Sequence, residues 1–451
     1  MIMKRYIYCL CVAVAAVLPA MVSGMTGAWR GELALGQTRL PLVFNFTEHA
    51  DGVTECTMDS PNQGAKGIPV TVALCSADSL SLSCVAIGAS YTGKIMPGEI
   101  RGTFMQRGYS FPLNLQPEAP VEERRPQTPK PPYPYTVVDT MFTAPDGAVM
   151  GATLTLPPVA DITRVPTVVM VTGSGPQNRD EELFDHRPFA VIADCLARNG
   201  IASLRYDDRG TGDSGGNFLT ATTDTLKNDA ASALAFLRTV VPNGKAGVLG
   251  HSEGGTIAFM MAADGAPDFI ISLAGVAIPG KEALMRQNAH ALDLSGITGA
   301  DKENALKIVD RVFDTMARQH RDGVYTPIDV DSLVAASGVE APPQIMPSLK
   351  MTQKIRTPWI DGLVSLNPRE YLVKITCPVL AINGDKDTQV EADNLEVIHS
   401  LVPNADTRLM PGLNHLMQHA VTGETAEYGE IRETIAPEVL DLIVNFIRQV
   451  K

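Results

Sequence analysis

Gly250-His251-Ser252-Glu253-Gly254-Gly255 decides the fold of this 451-residue chain. A short apolar run, Ala246-Gly247-Val248-Leu249, leads into it, and Thr256-Ile257-Ala258-Phe259-Met260-Met261-Ala262-Ala263 leads out without a helix breaker. The pattern reads as strand, sharp turn and helix, with a serine at the apex. Small residues two before and two after Ser252 are required, because the serine backbone is strained there and larger side chains would strike the helix that it opens.

A serine hydroxyl becomes a useful nucleophile only when a base takes its proton, and that base needs an acid to fix its tautomer. In a strand-turn-helix arrangement of this kind, the acid is expected after a late strand and the histidine after the acid. The strand Pro378-Val379-Leu380-Ala381-Ile382 runs into Gly384-Asp385-Lys386-Asp387-Thr388-Gln389-Val390, and Met410-Pro411-Gly412-Leu413-Asn414-His415 follows a further short strand near 407–409. Acyl transfer also needs donors for the developing oxyanion. The Glu253 amide is one. The second is expected from Thr172-Gly173-Ser174-Gly175, with Ser174 N–H first and Gly175 second, since Pro176 has no amide to offer. That loop lacks the lysine-threonine ending of a phosphate loop and the three-glycine spacing of a dinucleotide site.

Around these motifs, β and α signals alternate. Residues 135–141 and 149–156 flank Asp146-Gly147 as a hairpin. Val165-Pro166-Thr167-Val168-Val169-Met170-Val171 is continuously apolar, as buried parallel strands are. Residues 189–199 read helical, 201–206 as a strand, 225–240 helical, 269–273 as a strand and 439–447 as a closing amphipathic helix. Such alternation predicts a mostly parallel sheet with helices on both faces. Residues 277–371 interrupt it with mainly helical spacing of Met285, Leu292, Leu306, Val309, Val312, Phe313 and Met316. An insertion at the carboxyl end of a strand sits over the ligand end of an open sheet, so it is expected to be a lid, or to pack its stripe onto the main domain.

Residues 27–115 carry short alternating runs, among them 40–46, 68–74 and 79–85, and predict a small β-sandwich or barrel with a structural or interaction role. Proline and charge dominate 116–135, which reads as an extended linker.

From about 136 to the end, the chain resembles the α/β-hydrolase superfamily. It resembles more closely the bacterial carboxylesterases, or serine aminopeptidase-like hydrolases, that carry a small N-terminal β domain. Gly173-Ser174-Gly175-Pro176-Gln177-Asn178-Arg179-Asp180, Tyr206-Asp207-Asp208-Arg209-Gly210-Thr211-Gly212 and Gly250-His251-Ser252-Glu253-Gly254 carry that likeness. The resemblance implies Ser252 as nucleophile, His415 as base and Asp387 as acid. Superfamily usage, a Gly-x-x-Asp run with an apolar residue three on, favours Asp387 over Asp385, whose alternative task is bonding local backbone. It implies an α/β-hydrolase fold with a helical cap, over 136–451, behind a small all-β domain.

Other histidines carry weaker signals. His251 is too near Ser252 in sequence to serve as its base and is expected to pack beside the turn. His186 and His290 are expected at the surface, and His415 with His419 lacks the carboxylate ligand of a metal site. The charged stretches 177–180 and 207–209 are expected to order the oxyanion loop, to bind a polar part of substrate, or to pair with one another.

Residues 1–24 place Lys4 and Arg5 before an apolar run too short to span a bilayer, then small residues, as a secretory signal does. The protein is therefore expected to be exported, periplasmic or extracellular, without a stable membrane span. A net charge of -13 makes nucleic acid an unsuitable partner. Five cysteines follow residue 24, an odd number without C-x-x-C spacing, and read as buried apolar residues ahead of a disulfide framework. The expected function is serine hydrolysis of a small-molecule ester or acyl substrate through an acyl-enzyme, with no metal or organic cofactor implied. A peptidase or amidase of the same fold is the alternative, and from another class an inactive binding protein.

Overall fold

A computed structural model describes residues 25–35, 38–49, 53–60, 65–118 and 124–450. The signal-like segment 1–24 lies outside them. The chain divides into two compact units, Met1–Glu123 and Arg124–Lys451.

The first unit is a closed antiparallel barrel of eight strands in chain order: β1 (Gly27–Leu35), β2 (Thr38–Glu48), β3 (Thr54–Ser60), β4 (Ala65–Cys75), β5 (Ser79–Cys84), β6 (Ala89–Met96), β7 (Glu99–Gln106) and β8 (Tyr109–Pro117). Alternation does the folding: Leu80, Leu82 and Cys84 of β5 point inward while Ser79, Ser81 and Ser83 do not. Pairing of Trp29 with Pro117 and of Arg30 with Gln116 closes the ring, which leaves no free sheet edge. Of the two expected β architectures, this is the barrel. The Tyr91 ring fills its interior beside Gly102, where any side chain would overlap the ring.

The second unit has an eight-stranded sheet. The hairpin β9 (Thr136–Thr143) and β10 (Val149–Leu156) precedes β11 (Thr167–Val171), β12 (Ala202–Tyr206), β13 (Ala246–His251), β14 (Ile270–Leu273), β15 (Val379–Gly384) and β16 (Asp406–Met410). Spatial order is β16-β15-β14-β13-β11-β12-β10-β9. All pairs from β12 to β16 are parallel, and the hairpin joins antiparallel. The central strands are buried on both faces because helices α1 (Pro188–Arg198) and α11 (Pro437–Gln449) cover one side while α2 (Thr223–Val240) and α3 (Glu253–Ala263) cover the other. This is the α/β-hydrolase fold.

Between β14 and β15 lie α4 (Gly280–Leu294), α5 (Gly299–Asp322), α6 (Val330–Ser337), α7 (Met346–Ile355), α8 (Pro358–Ser365) and α9 (Arg369–Leu372). Their stripe does not spread over the main sheet. Ala305, Ile308, Val312, Phe313 and Met316 of α5 join Ile328 and Val364 in a separate core, and Arg356 grips the buried Asp361 at 2.7 and 2.6 Å. Leu306, one of the predicted stripe residues, is only half-buried.

The expected extended linker is corrected at both ends. Its start belongs to β8, and from Arg124 onward the chain is fastened to the second unit. Arg125 donates to the carbonyls of Ile431, Phe184 and Gly429 at 2.6–2.9 Å, and Gln127 donates to that of Ile435. A composition rich in proline and charge suggested an extended linker; here the Arg125 guanidinium instead satisfies carbonyls that would otherwise be unpaired.

Candidate active site

Within 246–262 every residue is buried except Ser252, which is half-exposed. Its φ of 54° and ψ of -117° lie where a residue with a side chain is rarely found. Gly254 makes the turn possible, since a Cβ there would overlap the Val171 carbonyl.

Two further loops at the carboxyl ends of the strands supply partners. After β15, Asp387 Oδ1 accepts the amides of Gln389 and Val390 at 2.9 and 2.8 Å. Its Oδ2 accepts from His415 Nδ1 at 2.8 Å, both side chains being buried. With Nδ1–H committed to the carboxylate, a neutral His415 ring keeps its lone pair on Nε2, the nitrogen free to take a proton. Asp385 stands apart. It is exposed and accepts the Gly412 amide at 2.6 Å.

After β11, the Gly173 amide is taken by Glu181 Oε1 at 2.7 Å. Among the described residues, the amides of Ser174, Gly175 and Glu253 have no intramolecular acceptor. The Glu253 carboxylate is buried and accepts from Thr223 Oγ1 and Trp359 Nε1 at 3.0 Å, and from the Ser174 hydroxyl. Burial pushes its pKa up, with those donors working against the shift. Cap helix α8 thus contributes Trp359 to the residue that follows the serine.

The charged loops pair with one another. Arg179 bonds Asp207 and Asp213, Arg205 bonds Asp180, and Arg209 bonds Asp229 bidentately at 2.8 and 2.6 Å. They also order the loop after β11, because Asp208 accepts the Gln177 amide at 2.9 Å and the Thr172 hydroxyl at 3.0 Å. Burial raises the Asp208 pKa to about 8, and the Glu253 and Glu181 charges add to the rise while its two donors oppose it.

Two histidine expectations need correction. His186 is not at the surface: it is buried, with Nδ1 near Thr434 Oγ1 and Nε2 near the Tyr428 carbonyl. An imidazole with two internal partners keeps no need of water. His251 does more than pack. Its Nδ1 lies 2.9 Å from Glu181 Oε1 and its Nε2 lies 2.9 Å from the His415 carbonyl oxygen. His290 is half-buried and pairs with Glu424, while exposed His419 pairs with Glu433 and Glu438.

Glu181 and Trp359 were missed in the sequence. The one available signal was the elbow histidine itself, a buried polar ring that must find partners.

Residues 146–419, more than half the chain, match the family described as X-Pro dipeptidyl-peptidase (S15 family). Esterase EstD of Thermotoga maritima is 25% identical over 262 residues, which are 57% of this chain and 55% of that protein. The chain thus spans about half the length of that relative. Among solved structures, the Pyrococcus furiosus esterase Pf2001 is similar over 70% of this chain and 91% of its own, with 16% identity and a TM-score of 0.45. Est1E from Butyrivibrio proteoclasticus, with ferulic acid bound, is similar over 69% and 97%, with 17% identity and a TM-score of 0.42. This chain, with an N-terminal β-barrel and an α/β-hydrolase fold, belongs to the X-Pro dipeptidyl-peptidase (S15) family.

Proposed function

We propose that the protein hydrolyses carboxylic esters of small molecules, with Ser252 as nucleophile, His415 as base and Asp387 as acid. The observation that carries this reading is the 2.8 Å His415–Asp387 bond, made by a ring whose centroid lies 4.7 Å from that of His251, the residue next to the strained serine. Ser252 Oγ attacks the ester carbonyl and passes its proton to His415 Nε2. The Glu253 and Ser174 amides receive the oxyanion, with Gly175 the further donor. Collapse of the adduct expels the alcohol, which takes the proton from the imidazolium, and water repeats the sequence on the acyl-enzyme.

Family membership favours a second reading, cleavage after an Xaa-Pro dipeptide. Holding a free α-amino group calls for an accessible carboxylate. The carboxylates beside the elbow, Glu181, Asp208 and Glu253, are buried and already bonded to protein donors, which supports the ester reading.

Rates on p-nitrophenyl esters and on Xaa-Pro-p-nitroanilides separate the two, and a higher kcat/KM for the anilides would overturn the ester assignment. Ser252→Ala is expected to abolish ester hydrolysis, a loss of about 10³-fold or more, and labelling by a fluorophosphonate. Survival of either removes Ser252 from the mechanism.

A further inference from the structure

His251 precedes the elbow serine, and both of its ring nitrogens are engaged within the protein. Nε2 lies 2.9 Å from the main-chain oxygen of His415. A carbonyl oxygen only accepts, so Nε2 carries a proton. Nδ1 faces Glu181 Oε1 at 2.9 Å, the same oxygen that accepts the Gly173 amide at 2.7 Å. One more proton must therefore lie between Nδ1 and Oε1. Burial opposes a charged ring, yet the Glu181 charge and hydrogen bond, with the bond to the His415 carbonyl, outweigh it and raise the His251 pKa. With that proton on the ring, the pair is imidazolium and carboxylate.

Three separate segments meet at this pair: the elbow at the end of β13, the loop after β11 at Gly173, beside Ser174, and the loop after β16 at His415. Glu181 holds a positive φ of 52°, a strained conformation for a residue with a side chain, kept where surroundings demand it. Both side chains are buried, at 1% exposure for Glu181 and 7% for His251, which keeps the pair apart from substrate.

We propose that Glu181 and His251 form a charged positioning pair that holds the His415 main chain and the Gly173-Ser174 loop in register with Ser252, so that base and oxyanion donor are set by one buried connection. The proposal rests on the roles given above to Ser252, His415 and Ser174. During acylation the reacting proton moves between Ser252 Oγ and His415 Nε2, while the proton between His251 and Glu181 stays in place.

The test combines nitrogen NMR of 15N-histidine-labelled protein with kinetics. At neutral pH a ring signal with both nitrogens protonated is expected that is lost in His251→Gln and converted to that of a neutral ring in Glu181→Gln. Both variants are expected to lower kcat on a short p-nitrophenyl ester by about 10- to 100-fold with KM within about threefold, and to slow fluorophosphonate labelling in parallel. The double variant is expected to match the worse single one, because residues acting as one unit are not additive. A neutral His251 in the wild-type protein overturns the charged pair even if a variant fails to fold. Folded variants with wild-type kcat, or losses that multiply, overturn its positioning role. Should Ser252→Ala keep its activity, the site assignment fails instead, whatever the His251 spectrum shows.

Discussion

In the barrel, Phe44, Phe46, Met58, Leu80, Tyr91, Ile100 and Leu115 fill the interior, and among the described residues Ser60 is its one buried polar side chain besides the Tyr91 phenol; the hydrolase unit buries Glu181, Arg205, Asp207, Asp208, Arg209, Asp229 and Glu253. Apolar burial is non-directional and asks mainly for matching volume. Buried charge is directional: each group must meet a partner at bonding distance or cost several kcal/mol, about 3–5 for a broken pair. Loops at the strand ends of the hydrolase unit are held by ion pairs and charge-assisted hydrogen bonds, which specify one geometry, while the barrel interior is filled by apolar side chains inside its backbone hydrogen-bond ladder.

Removing a charge from the hydrolase unit should therefore cost more than removing a polar group from the barrel. Asp229→Ala leaves the Arg209 guanidinium buried with Asp146 as its remaining carboxylate, and an unfolding free energy lower by about 3–5 kcal/mol is expected. The chain has two tryptophans, Trp29 in the barrel and Trp359 in the hydrolase unit, so fluorescence of the single-tryptophan variants in a denaturant titration reads each unit separately. Tyr91→Phe deletes a phenol whose oxygen lies 3.4 Å from the Ile100 carbonyl and 3.2 Å from that of Leu113. About 0.5–1.5 kcal/mol is expected for it, seen by Trp29 with ester turnover retained. Equal costs for the two substitutions would erase the contrast.

A smaller effect sharpens it through pH. Asp208 titrates at about 8 in the folded protein against an ordinary 3.8, so between those values the folded state holds a proton that the unfolded state has released. Its contribution to stability is complete below about pH 4 and is lost as pH climbs toward 8. Asp208→Asn keeps an acceptor for Thr172 and Gln177 without the titration. The Tm of the variant is expected to gain on wild type as pH rises from 5 to 8, and a Tm difference independent of pH would remove Asp208 from the account.

How far the sequence could be read differs between the same two regions. The buried strands of the hydrolase sheet announced themselves as apolar runs, and the elbow as a glycine-framed serine, because both are written in consecutive residues. Barrel closure was not legible: it depends on Trp29 meeting Pro117, residues far apart whose alternation suits a sandwich equally well. His186 was placed at the surface for the same kind of reason, since nothing beside it in the chain names Thr434 and Tyr428 as its partners.

By itself, then, the sequence determined the strand-turn-helix around Ser252, the order of Ser252, Asp387 and His415, and the division into a β region and an α/β region. Those rest on local backbone preference, side-chain periodicity and covalent order. Only the tertiary structure decided that Asp387 rather than Asp385 meets His415, that the cap brings Trp359 to Glu253, and that Glu181 and His251 tie together the loops on which Ser252, Ser174 and His415 sit. Contacts between residues 28 to 164 positions apart leave no periodic trace in either partner; they arise when strands assemble side by side and bring their carboxyl ends together.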